Sequence, residues 1–142
     1  MGSKCVVRQA GVIPYRVRGE GVEVLLVSRR GGRGWVVPKG HVEDGLSAPE
    51  SARNEALEEA GAVGIVEEPP VGWYRYRKRG RDYEVALYAM EVVRLRPVWM
   101  EMEERERAWA RVEEAAGIVA YDGLAECLRA VGEWVGVESA AA

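Results

Sequence analysis

A chain of 142 residues, 48% of them hydrophobic, with a net charge of −3 has the material for one substantial core and reads as a single domain, 1–142. The near balance of charge excludes a whole-molecule field that would draw a nucleic acid polymer or an anionic membrane, so any anion binding must come from a local patch. Cys5 and Cys127 lie far apart without metal-ligating neighbours. The start, MGSKCVVRQ, carries no apolar run of leader length, and no stretch reaches transmembrane length. The expectation is a cytoplasmic protein with two unpaired thiols.

In chain order, Val6–Val17 and the aliphatic run Val22–Ser28 flank the turn Gly19-Glu20-Gly21 and predict an antiparallel hairpin. Arg29–Gly34 is a basic, glycine-rich loop without the spacing of a P-loop, read either as a flexible connection or as a phosphate contact. Trp35–Val37 is a short strand that ends at Pro38, and a glycine-punctuated loop follows, containing the sole histidine, His41.

Ser47 and Glu50 form a capping box, and Gly61 stands where a left-handed C-cap belongs, so a helix lies between them. Ala48, Ala52, Ala56 and Ala60 give it a narrow apolar stripe that permits close packing. Glu55, Glu58 and Glu59, spaced i, i+3, i+4, share one side of this helix. They are either a solvated acidic face or oxygen ligands for a hard divalent cation, Mg²⁺ or Mn²⁺.

Beyond the helix, Val63–Val66 is a brief strand broken at Pro69-Pro70. Val71–Lys78 alternates, with Arg75, Arg77 and Arg79 on one side and Tyr74, Tyr76 and Lys78 on the other. Gly80 turns the chain into a long returning strand, Tyr83–Val93. The tip concentrates Arg75, Arg77, Lys78, Arg79 and Arg81. These are either edge-protecting charges or, as favoured here, a clamp for a highly phosphorylated substrate. The aromatic residues Trp73, Tyr74 and Tyr76 read as packing. Pro97–Arg107 carries Glu101, Glu103, Glu104 and Glu106 and reads as a solvated acidic loop. Ala108–Val112 predicts a last strand. After a short helical turn, Asp122 caps a helix to about residue 136, with Leu124, Cys127, Leu128, Val131 and Val135 on its apolar face. The tail, 138–142, is expected to fray.

The segment GHVEDGLSAPESARNEALEEAGA, 40–62, resembles the signature of the Nudix hydrolases. Gly40, Glu55, Glu58, Glu59 and Gly61 match it, and Ala56 and Ala62 fill its aliphatic positions. Two positions depart. Leu46 stands where the family has a glutamate and Asn54 where it has an arginine, a pair thought to brace the loop against the helix. The preceding WVVPKGHVE is similar to branches acting on diadenosine polyphosphates and diphosphoinositol polyphosphates.

The resemblance implies an α/β/α sandwich with a mixed sheet and metal-dependent hydrolysis of a phosphoanhydride. In it Glu55, Glu58 and Glu59 are catalytic and, with the Gly40 carbonyl, hold Mg²⁺ or Mn²⁺. Arg29, Lys39 and His41, with Arg75, Arg77, Lys78, Arg79 and Arg81 of the hairpin, are the candidate substrate contacts. The partner is a phosphorylated small molecule, and the chain a monomer or homodimer. In some family members a glutamate of the region 97–107 joins the metal site. Two alternatives stay open: a nucleoside triphosphate pyrophosphatase, and a binding module in which Leu46 and Asn54 mark decayed catalysis.

Overall fold

The computed structural model describes residues 5–31 and 33–141, with side chains to residue 136; the first four residues and Ala142 of the tail lie outside the described residues. Its centre is β1, Val6–Arg18, in which every residue from Gln9 to Tyr15 is buried. A strand buried on consecutive positions needs cover on both faces, unlike the half-solvated strands that alternate. It folds back through Gly19-Glu20 onto β2, Gly21–Ser28, as the predicted hairpin. On its other side it runs parallel to β7, Arg81–Leu95. The other pairings between the strands of the described residues are antiparallel, so the sheet is mixed as expected.

β3, Trp35–Val36, and β8, Arg107–Arg111, pair with β2, while β5, Ala62–Val66, and β6, Gly72–Lys78, pair with different stretches of β7. One segment differs from the sequence reading. Lys39–His41, read as loop, forms β4 and pairs with β1 in the register Gln9↔His41. The close approach is steric in origin: a Cβ on Gly11 would collide with Pro38 and Lys39, so only glycine admits β4 there.

Helix α1, Ala48–Ala60, packs on β1, β4, β5 and β7, with Ala52, Ala56 and Ala60 fully buried. Helices α2, Val112–Ile118, and α3, Asp122–Ala141, pack on each other and on β2, β6 and β8. The sandwich is thus the α/β arrangement that the sequence resemblance implied. The predicted face of α3 is realised, since Leu124, Cys127, Leu128, Val131 and Val135 are all buried. The backbone of α3 continues as helix to Ala141, beyond the end at about 136 read from the sequence. Among the described residues no helix is long and apolar enough to cross a membrane.

Candidate functional site

Both ends of α1 are defined as the sequence predicts. The Ser47 hydroxyl accepts from the Glu50 amide, the Glu50 carboxylate accepts from the Ser47 amide, and Gly61 is left-handed at φ 63°. The last carbonyls of the helix are claimed by the segment between β7 and β8, which sequence alone presented as a solvated loop. The Trp99 indole donates to the Glu59 carbonyl at 3.0 Å and the Glu101 amide to the Glu58 carbonyl at 3.0 Å. The Arg107 guanidinium donates to the Ala60 carbonyl at 2.8 Å. Carbonyls that a helix cannot satisfy itself are here bonded by a single clasp.

That clasp carries Glu101 into the interior. Glu101 is only 9% exposed, and its carboxylate accepts from Arg105 at 2.7 Å and pairs with Arg30 at 3.3 Å. The solvated reading holds for Glu103, Glu104 and Glu106 but not for Glu101. Its signal in the sequence was Arg105, one residue in a run of glutamates at the i, i+4 spacing that pairs charges on a turn.

The three helix glutamates differ in surroundings. Glu59 is buried, accepts from the Lys39 amide at 3.2 Å and lies 3.6 Å from the Arg105 guanidinium. Burial pushes its carboxyl up to about 7, and the Glu101 charge adds to this while Arg105 and Lys39 pull it back. Glu55 is half-buried and raised to about 8, chiefly by burial and then by the charges of Glu59 and Glu58. Its carboxylate lies flush against the Gly40 backbone, where any Cβ would collide with it. Glu58 is also raised, by burial and then by Glu43 and Glu101. Two carboxyls this crowded hold protons into the neutral range unless a cation replaces them.

The donor chemistry, all oxygen with Gly40 backbone alongside, fits a hard divalent cation. Among the described residues, however, no three acidic, cysteine or histidine side chains already converge into a cage. Glu55 and Glu59, with Glu58 and Glu101 in electrostatic reach, are the residues that would hold the ion.

Beside Glu59 opens a cavity of about 840 Å³. Arg29, Arg30 and Arg33 from the β2–β3 loop, Lys39 of β4, Lys78 and Arg79 of the β6–β7 hairpin, and Arg105 of the clasp all line it. Glu59 is the lone carboxylate in the lining, and Tyr76 and Tyr121 supply the aromatic surface. Lys39 is fixed by a buried chain of hydrogen bonds: its ammonium donates to the Tyr76 hydroxyl at 3.0 Å, which donates to Gln9 at 2.7 Å. Burial lowers the Lys39 pKa, with Glu59 opposing. Tyr76 is raised to about 12 by its own burial, so its hydroxyl stays protonated as the donor.

Of the candidate substrate contacts, Arg29, Lys39, Lys78 and Arg79 therefore meet at one cavity and the others do not. Arg75 and Arg77 point to the opposite side of β6, as strand alternation requires, and are held by Glu84 at 3.0 Å and Asp82 at 2.7 Å. Arg81 lines a separate hollow with Cys5 and Val7. His41 is exposed on β4 outside the cavity lining. The cations of the hairpin tip are thus divided, and the other cations of the cavity come from elsewhere in sequence: Arg29, Arg30, Arg33, Lys39 and Arg105. Arg79 reaches the cavity through a left-handed backbone at φ 51°, a turn geometry that alternation does not forecast.

Residues 7–135 match the NUDIX domain. Nudix hydrolase 13, mitochondrial, of Arabidopsis thaliana is 33% identical over 150 residues, spanning 87% of this chain and 74% of that protein. Nudix hydrolase 21, chloroplastic, of the same plant is 33% identical, with 84% of this chain and 63% of that protein covered. Among solved structures, a C. elegans Ap4A hydrolase binary complex superposes with a TM-score of 0.77 at 25% identity, covering 92% of this chain and 98% of that one. The NUDIX domain of Shewanella oneidensis NrtR complexed with ADP ribose shares the fold, at a TM-score of 0.73 and 14% identity over 94% of this chain and 90% of that one. The match spans nearly the whole chain, which belongs to the Nudix family as a pyrophosphohydrolase.

Proposed function

We propose that the chain hydrolyses a phosphoanhydride within a highly phosphorylated small molecule, a diadenosine polyphosphate or diphosphoinositol polyphosphate, with Mg²⁺ or Mn²⁺. One observation carries this reading: seven cationic side chains and a single carboxylate line one cavity in a protein whose net charge is −3. A cavity so biased is matched to several phosphates, since guanidinium groups take phosphate oxygens in pairs and lysine offers a point charge. The Ap4A hydrolase likeness agrees with a long polyphosphate, and ADP ribose on a similar domain agrees with a pyrophosphate-linked ligand.

In this mechanism Lys39, Lys78, Arg79 and the arginines of the β2–β3 loop hold the non-reacting phosphates. Arg105, at the cavity, pairs with both Glu59 of its lining and Glu101 of the clasp. Glu55, Glu58 and Glu59, with the Gly40 carbonyl and Glu101, are the oxygen donors that would hold the cation. When bound, the ion neutralises phosphoryl charge and acidifies water. Glu58 or Glu59 accepts the proton of the attacking water. Gly40, having no side chain, leaves the Glu55 carboxylate room at the backbone.

The test is product release with Mg²⁺ or Mn²⁺ across diadenosine polyphosphates, diphosphoinositol phosphates, ADP ribose and nucleoside triphosphates, with Glu59→Gln as control. Metal-dependent turnover that grows with phosphate number supports the proposal. Base-dependent turnover confined to triphosphates replaces it with the pyrophosphatase reading. Tight binding without turnover makes the chain a binding module.

A further inference from the structure

The two departures from the family signature leave a mechanical question. The segment 41–46 joins β4 to α1 and borders the acidic site, yet Leu46 and Asn54 cannot form the ion pair thought to brace such a loop. At its start the segment is held by the β4–β1 ladder, and at its end by the Ser47 cap. Between these anchors the Glu43 amide donates to the Ser51 hydroxyl at 3.0 Å, and the Leu46 amide closes a turn onto the Glu43 carbonyl at 3.1 Å. Ser51 is 1% exposed, on the first turns of α1 and beside the alanine stripe. A hydroxyl this deep on an otherwise small-residue face requires a partner, and the loop provides it.

We propose that Ser51 is a positioning residue for the metal-dependent reaction, performing from inside the helix the bracing that Leu46 and Asn54 cannot. By fixing the Glu43 backbone it sets the course of the chain that leaves Gly40, whose backbone abuts the Glu55 carboxylate, and Lys39, whose amide bonds Glu59. It also holds Glu43 on the side of α1 that carries Glu58, where the two charges interact. A neutral hydroxyl–amide bond needs no counter-ion, so it stays intact beside four carboxylates, Glu43, Glu55, Glu58 and Glu59. Where the family signature has a charged pair, this chain has a hydrogen bond in the interior. This inference rests on the metal-dependent hydrolase reading.

The experiment compares wild type, Ser51→Ala, and Ser51→Ala carrying Leu46→Glu and Asn54→Arg. Mn²⁺ affinity is read by electron paramagnetic resonance, with kcat, KM and thermal midpoint measured on the same samples. Loss of a supporting hydrogen bond should weaken Mn²⁺ about tenfold and lower kcat by a similar factor, while substrate KM stays near wild type. Restoring the charged pair should recover most of the Mn²⁺ affinity. A merely structural serine would shift the thermal midpoint alone, so Mn²⁺ affinity within twofold of wild type in folded Ser51→Ala overturns the proposal. Failure of the triple variant to regain affinity overturns the equivalence of the two braces. Absence of Mn²⁺ binding by wild type would instead overturn the hydrolase reading on which it rests.

Discussion

At the scale of single residues, the site is governed by how closely its carboxylates are packed. Glu59 contacts the Lys39 amide and Arg105, so Glu59→Gln keeps its volume but removes the charge that both partners address. Turnover should fall by about two to three orders of magnitude with the circular dichroism spectrum unchanged. The titration of the same group has a defined sign. Glu55 and Glu59 stand at about 8 and about 7 in the folded protein against an ordinary value of 4.5, so the folded chain retains protons that the unfolded chain releases. The stability this contributes is complete below pH 4.5 and is lost as pH rises through 7 to 8. Metal-free protein should therefore show a Tm that declines across that window. Glu55→Gln should flatten the decline, and Mg²⁺ should raise Tm more at pH 8 than at pH 6, as calorimetric scans would read.

At the scale of elements, the decisive contact is the clasp of residues 99–107 over the end of α1. Gly61 is left-handed at φ 63°, and a Cβ there would sit 2.8 Å from the Arg107 guanidinium and 2.9 Å from Trp99. Gly61→Ala thus combines an unfavourable backbone with a collision against the clasp, and should destabilise by at least about 1–2 kcal/mol in urea unfolding. Arg107→Ala should cost about 1.5–3 kcal/mol, because it leaves the Ala60 carbonyl without its charged donor and strips the cation from the Trp99 face, 3.8 Å away. The helix itself was legible in sequence because caps, stripe and glutamate spacing are local and point the same way. The clasp was not, because Trp99, Glu101 and Arg107 meet carbonyls some forty residues earlier in the chain, and a polar run reads as solvated until its partners are known.

At the scale of the whole molecule, charge is unevenly placed rather than abundant. Lys78 and Arg79 face the cavity, while Arg75 and Arg77 spend their charge on Glu84 and Asp82 across the hairpin. Lys78→Ala should raise KM for a long polyphosphate about tenfold, the equivalent of one charge-assisted bond of roughly 1.4 kcal/mol, and added salt should reduce the difference. Arg75→Ala should leave KM within twofold, because surface pairs of this kind contribute little. Steady-state kinetics at two ionic strengths separates the two variants.

The sequence by itself determined the helix of the box, its capping, the face shared by Glu55, Glu58 and Glu59, the β1–β2 hairpin and the mixed-sheet class, since each follows from short-range spacing or from a signature carried within 23 residues, 40–62. Tertiary structure alone decided which cations share a cavity, that Glu101 lies inside, that Lys39–His41 is a strand and that Ser51 holds the loop. Those outcomes depend on which distant backbones the sheet brings into register. A residue's neighbours along the chain report its own face, whereas its partners across the sheet are set by folding.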